Sequence, residues 1–187
     1  MIKPDFVMDV FLQPGEFYFG DAGTRVRTLL GSCVAITMWH PKLHIGGMCH
    51  FMLPSRCGKL TDELDGRYAE EAIQLFQQEI RAAGTRPADY QVKMFGGGNM
   101  FKVPSKCMGP HTECNNVACR NVQAARRLLE HHGHRIVAEH VGEHGHRNVI
   151  FDIWSGDVWL KHARHSALSD ALNSGDNRIE KDQCTHR

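Results

Sequence analysis

Residues 28–54 read TLLGSCVAITMWHPKLHIGGMCHFMLP, two apolar runs either side of the polar break Pro41-Lys42-Leu43-His44. Run length and β-branched content favour two buried strands, and so short a connection makes them an antiparallel pair. A tight turn centred on Pro41 and Lys42 would set residue 33 opposite residue 50. Opposed side chains project to one face with Cβ atoms about 4.5 to 5.5 Å apart, so Cys33 and His50 would meet there.

That meeting has a chemical reading. A free thiol with a pKa near 8.5 is only a few per cent thiolate at pH 7, and a neighbouring imidazole can take its proton and later return it to a leaving group. Gly31 and Ser32, just ahead of the cysteine, form a turn whose backbone N–H groups can converge on an oxyanion. The reaction class is acyl transfer: attack on an amide carbon, loss of amine, a thioester, then hydrolysis. On this reading one of the seven cysteines carries a low-pKa thiol. Residue types alone leave the alternative open, because free Cys is among the most buried residues and a Cys near a His is often mere packing.

Outward from this stretch, FLQPGEFYFG suggests an opening hairpin or strand pair around Pro14-Gly15. RYAEEAIQLFQQEIRAAG places Ala69, Ala72, Ile73, Phe76, Ile80 and Ala83 on one helical stripe and stops at Gly84. YQVKMF alternates as a strand before three glycines. NNVACRNVQAARRLLEHHG puts Val117, Val122, Ala125, Leu128 and Leu129 on a second helical stripe ending at Gly133. HRIVAEHVG, RNVIFDIW and DVWLK read as closing strands, the last two joined at Ser155-Gly156. Strands bunched at both ends predict an α+β fold, a layered mixed or antiparallel β-sheet sandwich flanked by two main helices. Residues 1–164 form one domain on this reading, and the polar residues 165–187 are a loosely ordered tail.

Composition removes several function classes. Twenty-two Lys and Arg against 21 Asp and Glu leave a formal charge of +1, so no global field draws the chain to nucleic acid or an anionic membrane. No run is long and apolar enough to enter a bilayer, and no secretory signal is legible, which predicts a cytoplasmic protein without disulfides.

The segments LGSCVAI, GGMCHFMLP and FGGGNMF together resemble the signature of the chemoreceptor glutamine deamidase family, CheD. The resemblance continues through ACRNVQAARRLLEHHGHRIVAEHVG and GHRNVIFDIWSGDVWLK, covering about residues 20–162 in order. It implies that Cys33 is the nucleophile and His50 its base. The family's third catalytic residue is a threonine just upstream of the cysteine. Thr28 is the nearest match, although some members carry it one position earlier, where this chain has Arg27. The implied substrate is a glutamine side chain on the cytoplasmic helices of methyl-accepting chemotaxis receptors, converted to glutamate with release of ammonia and no cofactor. Gly96, Gly97, Gly98, Asn99, Met100 and Phe101 are candidates for contact with the incoming helix. A CheC-type phosphatase is a further expected partner. The stretch VGEHGHR departs from the family at Glu143 and His144, to which no role is given.

Two other classes compete. Cys107, His111, Cys114 and Cys119 raise a zinc module, but their spacing matches no usual pair of knuckles. A non-catalytic adaptor is the second, against which the retention of both Cys33 and His50 argues. The remaining histidines, His131, His132 and His134 among them, are expected at the solvated surface near a helix end.

Overall fold

The computed structural model describes residues 3–56, 63–100 and 116–163. The strands are β1 (Met8–Phe11), β2 (Phe17–Gly20), β3 (Thr24–Leu30), β4 (Val34–His40), β5 (Ile45–Phe51), β6 (Gln91–Gly96), β7 (Ile136–Val141), β8 (His146–Asp152) and β9 (Asp157–Ala163). The helices are α1 (Ala69–Ala82) and α2 (Val117–His131). One sheet has the order β1-β3-β8-β9, the other β2-β5-β4-β6-β7. Both mix parallel and antiparallel pairs, because β1 runs parallel to β3 and β7 parallel to β6.

Burial explains the layering. The central strand β4 is covered on both faces. Val34, Ile36 and Met38 pack with Phe51, Val92 and Met94 under Ile73, Phe76 and Leu129 of the helices. Ala35, on the opposite face, joins Met48, Phe95, Val26, Leu30, Val149 and Phe151 between the two sheets. The expected α+β sandwich is present, with both helices on the outer face of the five-stranded sheet. Each helix ends as its glycine predicts. Gly84 and Gly133 have φ of 65° and 74°, and Thr85 N–H and His134 N–H reach back to the carbonyls of Ile80 and Leu129.

Four expectations need correction. The opening strands do not pair with each other, since β1 joins β3 and β2 joins β5 in different sheets. The β4–β5 connection has four residues, with His44 left-handed at φ 53°. The ladder is therefore displaced by two residues, and Ala35 faces His50. The alternating strand TRVRTLL (β3), buried at Thr24, Val26, Thr28 and Leu30, was not expected at all. His134 is buried, because it follows the glycine of the α2 stop motif and turns toward α1, where its Nε2 lies 2.7 Å from Gln77 Nε2.

The expectations for residues 165–187, for Phe101 and for Cys107, His111 and Cys114 lie outside the described residues.

Candidate active site

The chain leaves the four-stranded sheet at Leu30 and enters the five-stranded sheet at Val34, so Gly31, Ser32 and Cys33 make the crossing between layers. A displacement of two residues preserves the face of a strand, so Cys33 still lies on the inter-sheet side with Ala35, diagonal to His50. Cys33 is half-buried and packs against the inter-sheet core.

Alternation along β3 sends Arg27 and Thr28 to opposite faces. Arg27 points outward, its Nε 2.7 Å from Asp9 Oδ1. Thr28 points inward and is fully buried, its Oγ1 2.7 Å from His50 Nδ1. The Thr28 hydroxyl also donates to the Leu12 carbonyl at 2.9 Å. A hydroxyl has one proton, so toward His50 it must accept. Nδ1 therefore carries the imidazole proton and Nε2 holds the lone pair. Nε2 is buried with no hydrogen-bond partner among the described residues. The His50 backbone is held on both sides by the loop before β2: His50 N–H bonds to Glu16 O at 3.0 Å, and Gly15 N–H to His50 O at 2.7 Å.

The crossing turn is anchored through three successive carbonyls. Gly98 N–H bonds to Gly31 O at 2.8 Å and Gly97 N–H to Cys33 O at 2.7 Å. Asn121 Nδ2, from α2, donates to Ser32 O at 3.2 Å and to Met52 O at 2.7 Å. In a trans peptide the N–H points opposite to the carbonyl it is bonded to. Drawing the Gly31 and Ser32 carbonyls toward β6 and α2 thus turns the N–H groups of Ser32 and Cys33 the other way.

The glycines of FGGGNMF make this anchoring possible. A Cβ on Gly96, whose φ is 110°, would sit 2.2 Å from Cys33 O, and one on Gly97 would sit 2.3 Å from Val122 Cγ2. Their open faces are filled by the protein's own turn and helix. Asn99 is buried, and its N–H bonds to Glu143 O at 2.7 Å. Met100 is exposed and covers Gly31.

Burial sets the electrostatics. It lowers the His50 pKa to about 4, partly opposed by the Leu12 carbonyl and Glu16, and it raises the Cys33 thiol above its ordinary value. Both groups are neutral at pH 7. Among the described cysteines burial raises Cys33, Cys49 and Cys119 alike, the opposite direction from the low-pKa thiol expected from the sequence.

Two buried polar residues at this end of the sandwich escaped the sequence reading. Asn121 occupies an inward helical position four residues after Val117 and four before Ala125, and a polar residue on an apolar stripe was the available signal. Arg147 stands opposite Leu30, its Nε 2.9 Å from His140 Nδ1 and its Nη2 2.6 Å from Gly142 O. It braces the β7–β8 connection.

A cleft of about 640 Å³ opens on the far side of Gly97, between α2 residues such as Cys119 and Arg126 and the β7–β8 connection. It contains none of Thr28, Cys33 and His50. Among the described residues no three His, Cys, Asp or Glu side chains converge as metal ligands, and no helix is long and apolar enough to cross a membrane.

The family model described as CheD chemotactic sensory transduction matches residues 52–162. "Probable chemoreceptor glutamine deamidase CheD" of Pseudomonas savastanoi pv. phaseolicola is 49% identical over 96% of this chain and 98% of its own length, a span that includes Thr28, Cys33 and His50. "Probable chemoreceptor glutamine deamidase CheD 3" of Dechloromonas aromatica is 50% identical over 84% of this chain and 89% of its own. The Pseudomonas fluorescens relative of the same name as the first is 43% identical over 98% of both chains. Among solved structures, Bacillus licheniformis hypothetical protein YfiH aligns over 66% of this chain and 49% of its own, at 16% identity and a TM-score of 0.42. By the identity and coverage of these relatives, the chain belongs to the CheD family.

Proposed function

We propose that the protein is a chemoreceptor glutamine deamidase, with Cys33 as nucleophile, His50 as general base and acid, and Thr28 orienting the imidazole. The observation that carries this reading is the chain of hydrogen bonds from Leu12 O through Thr28 to His50 Nδ1, which leaves Nε2 free to accept a proton. The names of the relatives supply the substrate class.

In the proposed reaction the Cys33 sulfur attacks the side-chain carbonyl carbon of a receptor glutamine while its proton passes to His50 Nε2. Because thiol and imidazole are both neutral at rest, proton transfer accompanies the attack and no preformed ion pair is needed. The carbonyl oxygen becomes an oxyanion facing the N–H groups of Ser32 and Cys33 at the Gly31-Ser32 turn. The intermediate collapses as the imidazolium returns its proton to the amide nitrogen, releasing ammonia and leaving a thioester on Cys33. Water, deprotonated by His50 Nε2, attacks the thioester, and the products are glutamate and the restored thiol. Water is the one co-reactant.

Exposed Met52, two residues past His50, and Met100, over Gly31, offer apolar contacts suited to the flank of a helix. In this reading the glycines Gly96, Gly97 and Gly98 act through the turn they support, and Met100 makes the substrate contact. The test incubates the purified chain with a receptor cytoplasmic fragment and maps amide-to-acid conversion by peptide mass spectrometry. Conversion by wild type and none by Cys33→Ala is expected, and receptor glutamines unchanged by wild type would overturn the proposal. An adaptor acting by binding a CheC-type phosphatase would give that second result.

A further inference from the structure

Asn121 is fully buried on α2, and its side chain hydrogen-bonds to the turn carrying Cys33. Both protons of its amide group are used. One meets Ser32 O at 3.2 Å and the other Met52 O at 2.7 Å, two residues past His50. A single carboxamide therefore ties the peptide that ends in the Cys33 N–H to the strand end that carries the imidazole. Gly97 and Gly98 hold the neighbouring carbonyls through backbone N–H groups, so Asn121 is the member of this anchor whose side chain can be changed without altering the backbone.

The hydrogen-bond capacity of the group leaves little choice of role. The two carbonyls need donors, which an aspartate of the same shape cannot supply at neutral pH. The Ser32 carbonyl fixes the direction of the Cys33 N–H through the planar peptide. We infer that Asn121 is a positioning residue for the deamidation reaction, holding the Cys33 N–H where the oxyanion develops. The inference rests on the deamidase reading given above. Positioning of this kind acts on the transition state and leaves substrate docking and thiol chemistry alone.

The experiment compares wild type, Asn121→Ala, Asn121→Asp, Asn121→Ser and Leu129→Ala in receptor-fragment deamidation and in alkylation of Cys33 by iodoacetamide, a reaction that builds no oxyanion. Leu129 is a buried α2 residue more than two turns further on, and its variant reports what loss of helix packing does by itself. Asn121→Ala and Asn121→Asp are expected to lose roughly 10- to 100-fold in kcat, with KM and the Cys33 alkylation rate within about 3-fold of wild type. Asn121→Ser, which keeps one donor, should fall between them and wild type.

Wild-type kcat in folded Asn121→Ala would overturn the inference. So would an equal kcat loss in Leu129→Ala, or kcat and alkylation falling in the same proportion, which would mark a general loss of site order. Failure of all three Asn121 variants to fold would also count against it, placing the residue in the core's stability alone. An inactive wild type sinks the deamidase reading itself, and that outcome is distinct from every one of these.

Discussion

Replacing Thr28 by valine tests the chain of hydrogen bonds that orients His50. Valine matches threonine in shape but removes the hydroxyl, so Leu12 O loses its donor at 2.9 Å and His50 Nδ1 loses its acceptor at 2.7 Å. Both groups are left facing a buried site, Thr28 being fully covered. An unsatisfied buried polar group costs about 1 to 3 kcal/mol, so Thr28→Val should unfold about 2 to 4 kcal/mol more easily. Without an acceptor at Nδ1 nothing holds the imidazole proton there, and a proton shared with Nε2 blocks the nitrogen needed as base. A loss of roughly 10- to 100-fold in kcat follows, equivalent to about 1.4 to 2.8 kcal/mol in the barrier. KM should change little, because Thr28 is fully buried and out of the substrate's reach. Deamidation of a receptor fragment followed by mass spectrometry gives the rates, and ¹⁵N shifts of His50 give the tautomer. Thr28→Ser should recover most of the rate. The reasoning fails if folded Thr28→Val reacts at the wild-type rate, or if serine does no better than valine.

Cys33→Ala and His50→Ala should both abolish deamidation; Cys33→Ala should also keep a wild-type melting temperature, since the thiol is only half-buried, and residual turnover would remove it from the mechanism. Gly96→Ala places a Cβ 2.2 Å from Cys33 O at a φ of 110°, so the turn must shift. A loss of about 2 to 4 kcal/mol in urea unfolding is expected, together with most activity, and an unchanged midpoint would refute the packing argument. The folded pKa of His50 and His134 is about 4, below the ordinary 6.5. Between those pH values the unfolded chain binds more protons, and stability is lost as pH falls through that window. For His50 the full effect is at most about 3 kcal/mol, and urea titrations at pH 7 and pH 4.5 that coincide would contradict it. The acid limb of kcat/KM should likewise lie nearer pH 4 than 6.5, and a midpoint at 6.5 would mean an exposed base.

How much of this was legible in the sequence depends on the range of the interaction. The helices were, because Ala72, Ile73, Phe76 and Ile80 repeat at helical spacing and Gly84 stops the run by a local rule. The strands β4 and β5 were as well, but their register was not. Its determinant is a left-handed His44 in a four-residue loop, a conformation that histidine rarely signals. Sheet membership was hidden for a related reason. The two strands around Pro14-Gly15 look like a hairpin locally, yet β1 pairs with β3 and β2 with β5, in different sheets. The face of Thr28 could have been read from alternation in TRVRTLL, had the interleaved Arg25 and Arg27 been taken as the outward set of a half-buried strand. Asn121 shows the limit most clearly: its spacing marks an inward position, and only the folded chain shows that the carbonyls of Ser32 and Met52 wait there.

The assembled site draws one group from each layer: Thr28 from the four-stranded sheet, His50 from the five-stranded sheet, Asn121 from the helix layer, with Cys33 at the crossing. Placing the base between the sheets has two electrostatic consequences that pull in opposite directions. Burial makes His50 a weaker base, yet it also keeps the imidazole unprotonated and ready to accept at any pH well above 4. The same burial keeps Cys33 as a thiol, the form that reacts slowly with oxidants and stray electrophiles. A thiolate–imidazolium pair would be more reactive at rest but would place two charges in an apolar seam, where both lose their hydration. In the proposed mechanism, charge separation is therefore confined to the moment when a bound amide supplies an oxyanion beside the Ser32 and Cys33 N–H groups. On that mechanism the resting neutrality of base and nucleophile has one physical origin, the docking of the two sheets over His50.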